Sequence, residues 1–305
     1  MTSSRHGRPA SPTQAASAGS ADGRRLAWNV HRSGLVGDIA IKQLAVMPFA
    51  LTPLTFDGDN SNPVWTADGQ SILYSANRGD YAAGTWLIRR RADGTGVTDT
   101  LARSVGGREI MEVEPTRDTA QFILRLQSGG PTRDLMLQRL GDGTFTPLVA
   151  DSTFAEVFPA LSPDGRWLAY ASNETGHFEV YVRPFPDVNA RRVQVSQAGG
   201  TEPRWAHSGK ELFFRNGTGA LVAATVVPAA TFALGAQTVL FDGGQFYSVG
   251  NQEARSYDVA PGDQRFVFMR TVAPVGPSAA TLDKLVQVTN WAAEVQRKLA
   301  GTALR

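Results

Sequence analysis

Short apolar runs alternate along this chain with polar turns, and one junction between the two keeps returning. In Leu161-Ser162-Pro163-Asp164-Gly165-Arg166-Trp167-Leu168-Ala169-Tyr170 an apolar run ends, a turn follows, and a second apolar run begins. Degraded copies recur about every 45 to 55 residues, the mark of a repeat architecture. The clearest are Ala21-Asp22-Gly23-Arg24-Arg25-Leu26-Ala27-Trp28, Ala67-Asp68-Gly69-Gln70-Ser71-Ile72-Leu73-Tyr74 and His207-Ser208-Gly209-Lys210-Glu211-Leu212-Phe213-Phe214. Worn copies begin at Arg117 and Pro261, making six units in all.

The unit that starts near Asn62 shows what each repeat builds. Pro63-Val64-Trp65 is a short apolar strand, Thr66-Ala67-Asp68-Gly69 a turn, and Ser71 to Ala76 a second strand. Glycine takes the positive φ that other residues resist, and aspartate bonds the backbone just beyond it. A third strand is expected at Thr85 to Arg90 and a fourth near Thr98 to Leu101. The unit at Phe158 repeats this grammar with Trp167 to Ser172, Phe178 to Arg183 and Arg192 to Val195, where Glu179 and Tyr181 alternate with Val180 and Val182 as in a half-buried strand. Six units of four antiparallel strands predict an all-β, six-bladed β-propeller over residues 21–291. Trp65 and Trp205, at equivalent places before their turns, are expected to pack between neighbouring blades.

Alternation of strand direction sorts the loops by face. Tight Asp-Gly turns at Asp22, Asp68, Asp93, Asp142 and Asp164 fall on one face, and the longer segments after second and fourth strands fall on the other, the natural place for binding. Residues just before the innermost strands should ring the channel mouth there: Asn62, Glu109, Glu156, Glu202 and Arg255. Exchanging Glu202 and Arg255 for Ala is expected to weaken a bound partner without unfolding the domain.

Closure is the weak point of the pattern. Ala15 to Gly19 stands where the first blade needs its innermost strand, yet looks too small and polar to be one, so that blade is expected to be incomplete or to start upstream. Residues 1–20 read as a disordered leader, Asp283 to Trp291 as a last strand finishing the sixth blade, and residues 292–305 as a short helix or tail.

Composition narrows the partners. The 305 residues carry 30 basic and 28 acidic side chains, interspersed rather than gathered into a basic face, which argues against nucleic acid. Arg89-Arg90-Arg91 and Arg191-Arg192 read as solvated strand ends. There is no cysteine, hence no disulfide or thiol chemistry, and no run reaches the length of a membrane span.

The repeats resemble the PD40, or TolB-like, family of six-bladed propellers. The run Asn173-Glu174-Thr175-Gly176-His177-Phe178-Glu179-Val180-Tyr181-Val182-Arg183-Pro184-Phe185-Pro186 is similar to a hallmark of propellers at the C-terminal end of bacterial eukaryote-like serine/threonine kinases, and Gly200 to Trp205, Tyr257 to Pro261 and Val288 to Trp291 fit the same pattern. That resemblance implies a sensor or interaction module, extracytoplasmic if joined to a membrane-anchored kinase encoded upstream. Kinase activity does not carry over: the chain has no Gly-rich loop, no Asp-Phe-Gly triplet, and His31-Arg32-Ser33 lacks the catalytic aspartate.

Other chemistry finds little support. A prolyl-oligopeptidase would need a Gly-x-Ser-x-Gly elbow in a hydrolase domain, and none is present. His6, His31, His177 and His207 show no metal-ligand spacing. Asp57-Gly58-Asp59-Asn60-Ser61-Asn62 begins like a calcium loop but lacks its glycine and its bidentate glutamate. The expectation is therefore a non-catalytic binding module with no cofactor or metal, taking a protein, peptide or small glycan at the long-loop face. A metal-dependent lyase or hydrolase with a site assembled across blades, or an accessory propeller of a peptidase, is the alternative.

Overall fold

The computed structural model describes residues 17–32, 36–44, 51–56, 59–78, 84–104, 106–128, 132–242, 255–272 and 282–288. Every regular element among them is a strand. The first sheet holds β1 (Ser17–Gly19), β2 (Arg25–Arg32), β3 (Val36–Gln43) and β4 (Leu51–Pro53); the second β5 (Asp59–Trp65), β6 (Ser71–Asn77), β7 (Trp86–Arg91) and β8 (Asp99–Arg103). The third holds β9 (Arg108–Pro115), β10 (Gln121–Ser128), β11 (Arg133–Arg139) and β12 (Thr146–Val149); the fourth β13 (Glu156–Leu161), β14 (Trp167–Ser172), β15 (Glu179–Pro184) and β16 (Val193–Gln194). The fifth is β17 (Gly200–Trp205), β18 (Glu211–Asn216), β19 (Leu221–Val227) and β20 (Ala233–Phe241), and β21 (Tyr257–Val259), β22 (Phe266–Val272) and β23 (Leu282–Val288) complete the set. Within each sheet sequential strands pair antiparallel, the meander of a propeller blade.

Two expectations need correction. The described residues form five four-stranded blades, not six: the last sheet has three strands, and β23 is its third rather than the closing fourth. Ser17 to Gly19, which looked too small and polar for a strand, pairs with Trp28, Ala27 and Leu26 as β1. Small residues suffice there because a propeller's innermost strand sits at the crowded centre and is held by ladder hydrogen bonds and its neighbours rather than by bulk. Residues 1–16, the remainder of the expected leader, and the expected tail at 292–305 lie outside the described residues.

The recurring turn has a physical basis. Ser20, Thr66, Thr116 and Ser162 each donate a hydroxyl hydrogen bond to the aspartate two residues on, at 2.5 to 2.6 Å. Each same hydroxyl accepts the amide five residues on, at 2.9 to 3.0 Å, which starts the second strand. Those bonds hold the Asp22, Asp68 and Asp118 carboxyls below the usual range, the hydroxyl bond first and the backbone amide second. In the fifth blade Ala206 and Ser208 stand where the hydroxyl and aspartate belong, and Asp263 of the last sheet substitutes, accepting the His207 and Ser208 amides at 2.7 and 3.0 Å.

Apolar side chains fill the spaces between consecutive sheets. Trp65, Ile72 and Ile39 pack between the first two, Leu73, Ile110 and Leu124 between the next two, and Ile123, Leu168 and Tyr181 follow. Trp205, Leu212 and Val180 join the fourth to the fifth, and Phe213, Phe266 and Phe268 the fifth to the last. Each tryptophan also ties its blade to the one before: Trp65 Nε1 donates to the Ala18 carbonyl at 2.8 Å and Trp205 Nε1 to that of Ala160 at 3.0 Å. Both rings take the packing role read from their positions. The first strands contact one another in order, and β1 meets β21. That closing seam runs through a carboxylate: the Gly19 amide donates to Asp258 Oδ2 at 2.7 Å. Beside it Gly23 has φ +66° and a Cβ there would lie 2.8 Å from Pro261, so only glycine fits without displacement.

Candidate functional site

The innermost strands bend at one repeated place. The ladders of β5, β13 and β17 shift register between Ser61 and Val64, Val157 and Ala160, and Thr201 and Arg204. At these bulges Asn62, Phe158 and Glu202 take φ of 54°, 57° and 54°, and each precedes a proline. Proline has no N–H to lose where the ladder is interrupted. β9 reaches the same place with Glu112, which lies opposite Arg125 beside a register shift.

These positions converge on the axis and carry charge. Glu112 is 5% exposed and Arg125 fully buried, with Arg125 Nε 3.1 Å from Glu112 Oε2. The same carboxylate accepts the Phe158 amide at 3.0 Å and lies 3.4 Å from Arg255 of the last sheet's approach. Glu114 accepts the Leu161 amide at 3.0 Å, so two carboxylates of β9 hold the backbone of β13. Arg255 donates to the Pro159 carbonyl. Between the fifth and last sheets Glu202 Oε2 accepts the amide and hydroxyl of Ser256 at 2.5 and 2.7 Å, while Tyr257 donates its hydroxyl to the Glu202 carbonyl at 2.8 Å. Fully buried Arg215 donates to Ser256 Oγ at 2.8 Å. Asp258, already on Gly19, stands 3.5 Å from Arg204 Nε.

Burial and mutual charge set the protonation of this ring. Burial pushes Glu114 up against the pull of Arg255 and Arg204. Arg255 is pressed down by burial first and then by the Arg204 guanidinium, with Glu112, Glu114 and Asp258 opposing. Burial also opposes the charge on Arg204, but Asp258 and Glu114 outweigh it and its pKa is raised. Acids and bases here bond to each other and to backbone, and so join one blade to the next.

Of the five residues read as the channel mouth, the structure brings Asn62 and Arg255 together on a central cavity of about 20 Å³, also lined by Pro63, Val64, Glu112, Val113 and Arg204. Glu202 is buried in the adjacent inter-sheet network, not on the cavity wall. Glu109 is half-buried in β9 opposite Gln127, and Glu156 is buried in β13 opposite Ser172. Burial drives the Glu156 carboxyl up to about 7, against a hydrogen bond from the Asp151 amide and with Asp134 and Asp151 adding to the rise. Glu202 and Arg255 also bond across sheets, so exchanging them for Ala removes contacts between blades as well as side chains near the channel mouth. Glu112, Glu114, Arg204 and Asp258 were missed. The signal that finds them is a count backward from the first residue of each turn: four residues before Thr66, Thr116, Ser162, Ala206 and Ala260 stand Asn62, Glu112, Phe158, Glu202 and Ser256, and two residues before Thr116, Ala206 and Ala260 stand Glu114, Arg204 and Asp258.

Other chemical-looking groups are structural. His177, Glu179 and Ser196 superficially form a triad, but the carboxylate sits between the two: Ser196 donates to Glu179, and His177 Nε2 lies 2.7 Å from its other oxygen. A serine nucleophile needs the imidazole next to its hydroxyl. The Ser196 hydroxyl accepts the Val180 amide at 2.8 Å, just as Thr55 accepts Ile39 and Ser104 accepts Thr85, so it clips a third strand to the segment after the fourth. Asp59 to Asn62 of the calcium-like segment lie within β5, paired to β6; Asp57 and Gly58 fall outside the described residues. Arg89 and Arg91 pair with Asp99 and Asp93 at the surface.

Antiparallel four-stranded blades set around a common axis define a β-propeller. Comparison with solved structures shows the same fold. TolB from Acinetobacter baumannii superposes with a TM-score of 0.63 at 12% identity over 87% of this chain, which spans 61% of that protein. An oligogalacturonate lyase in complex with manganese gives 0.58 at 11% identity, covering 92% of this chain and 89% of the other. A chain of the nidogen/laminin complex gives 0.51 at 12% identity over 69% and 75%. No protein-family model matches the sequence, and no curated protein matches it. Among the described residues no helix is long and apolar enough to cross a membrane.

Proposed function

We propose that this chain is a non-catalytic binding module of the six-bladed TolB-like type, the three-stranded sheet serving as its sixth blade, and that it recognises a protein segment lying across the long-loop face. The size of the axial cavity carries the reading. Pockets that enclose an organic ligand run to roughly 300 Å³ or more, whereas this one measures about 20 Å³ and its charged side chains are committed to holding blades together. Recognition then falls to the rim, where Phe56 follows β4 with 66% of its surface exposed. An exposed aromatic of this kind suits an apolar anchor from a protein. The kinase-associated run from Asn173 to Pro186 supports a sensor role within that class.

Peptides selected from a random display library against the intact chain provide the test. With Phe56→Ser, affinity for the selected peptides should fall at least about tenfold, or 1.4 kcal/mol. Val97→Ser on the opposite face, where 81% of Val97 is exposed, should leave it unchanged. Loss on Val97→Ser with none on Phe56→Ser would assign binding to the turn face and overturn the proposal.

A further inference from the structure

Glu156 differs from the other buried acids in having no firm partner. Asp38, Glu112, Glu179 and Glu202 are buried like it, and each accepts a hydrogen bond of 3.0 Å or less. Glu156 is 3% exposed, and its backbone donor, the Asp151 amide, stands 3.4 Å away. Neighbouring elements bring it like charge: Asp134 from β11 and Asp151 from the segment after β12, while β14 offers the Ser172 hydroxyl opposite in the ladder. The cations of the adjoining strands are engaged elsewhere. Arg108 of β9 pulls on Asp134, Arg125 of β10 on Glu112, and Arg204 of β17 on Asp258. A carboxylate taken out of water without a compensating partner is costly in its charged form.

Next to this carboxyl a short bridge joins the third blade to the fourth at the long-loop face. Asp151, Ser152 and Thr153 in it are exposed, and Ala155 is buried. The bridge is fastened by the Asp151 amide on Glu156, by the Ala155 amide on Asn173 Oδ1 at 2.8 Å, and by an isolated parallel pairing of Ala155 with Arg133. We infer that Asp151 to Ala155 form a proton-operated latch, closed over Glu156 while that carboxyl is protonated and released when it ionises. Neutral, the carboxyl stays in its dry space; ionised, it is repelled by Asp134 and Asp151 and drawn toward water. Freeing an exposed bridge costs a few hydrogen bonds, whereas opening the ladder between β13 and β14 breaks the blade, so the bridge yields first. The closed form keeps its proton up to about pH 7, whereas a solvated glutamate releases it near 4.5. Opening is therefore favoured as pH rises, by about tenfold per unit between those values, and levels off above them. The rim thus takes two shapes according to pH, whichever partner lies on it.

Amide hydrogen exchange on the full chain between about pH 5 and pH 8 reads the latch directly. After correction for the intrinsic effect of pH, the Asp151 and Ala155 amides should exchange at least about tenfold faster at the upper pH, while those of β14 keep their protection. Glu156→Gln should keep the latch closed and remove that dependence. Asp134→Asn, which takes away one repelling charge, should move the midpoint of opening to lower pH. If Glu156→Gln does not fold, the unaltered chain and Asp134→Asn decide. Equal corrected exchange at both pH values in the unaltered chain, a pH dependence that survives Glu156→Gln, or acceleration of β14 by as much as the bridge would each overturn the inference.

Discussion

The junction between the fourth and fifth blades and the seam between the last sheet and the first perform the same task with opposite means. At the first, Ala160, Val180, Trp205, Leu212 and Phe232 form a continuous apolar cluster, with Trp205 and Phe232 edge to face at 6.0 Å. At the second, the described contacts include the Gly19 amide on Asp258 and Gly23 close against the Pro261 ring. Interior junctions bury area that scales with side-chain size, whereas the described contacts of the seam include a charge-assisted hydrogen bond whose carboxylate also faces Arg204. The described contacts predict a ring that opens first where its two ends meet.

The sharpest way to probe the strong junction is Trp205→Ala. It removes a buried ring and leaves the Ala160 carbonyl without its donor, so unfolding free energy should drop by about 3–5 kcal/mol. Denaturant titration measures it, and a loss below about 1 kcal/mol would mean the fourth and fifth blades do not depend on this contact.

Between the third and fourth blades a buried acid works against its surroundings. Glu156 titrates near 7 in the folded chain, against an ordinary value of 4.5. Asp151, Asp134 and the Ser172 hydroxyl face it; the Asp134 carboxyl is itself raised by burial against the pull of Arg108. With the folded pKa above the unfolded one, the folded state holds the extra proton between pH 4.5 and 7, and stability falls as pH rises through that window. Glu156→Gln should therefore stabilise the protein by about 3 kcal/mol at pH 8 and change little at pH 4. Matched denaturation curves at the two pH values would show this, and an unchanged or lower stability at pH 8 would place the carboxylate in a favourable, solvated setting instead.

Much of this was legible in the chain because the turn repeats. Asp164-Gly165 and its copies mark the first two strands of every blade, and the alternation from Glu179 to Val182 marks a third. What escaped was set by tertiary context. β1 has almost no apolar signal, since Ser17, Ala18 and Gly19 are held by ladder bonds and by Trp65 rather than by their own bulk. Taking the residue just before each apolar run lands on Glu109 and Glu156 rather than on Glu112 and Phe158, because β9 and β13 begin earlier, at Arg108 and Glu156, than their apolar runs. Which charges pair at the axis is decided between blades far apart in sequence, as with Glu112 and Arg255. No local pattern records that.

The seam offers the smaller but more discriminating experiment. Asp258→Ala removes the acceptor of the Gly19 amide and the partner of Arg204 in one change, for an expected loss of about 2 kcal/mol. Its location in the ring predicts more than its size. If the two ends of the ring separate first, amides of β2 in the first sheet should exchange with solvent faster in the variant, while those of β14 and β18 at the strong junction keep their protection. Trp205→Ala should do the reverse, loosening β14 and β18 by more than β2. Hydrogen exchange on both variants therefore separates a latch from a general loss of stability: equal acceleration of all three strands by Asp258→Ala would mean that the carboxylate stabilises the whole ring through Arg204 and that the seam is no weaker than its other joints.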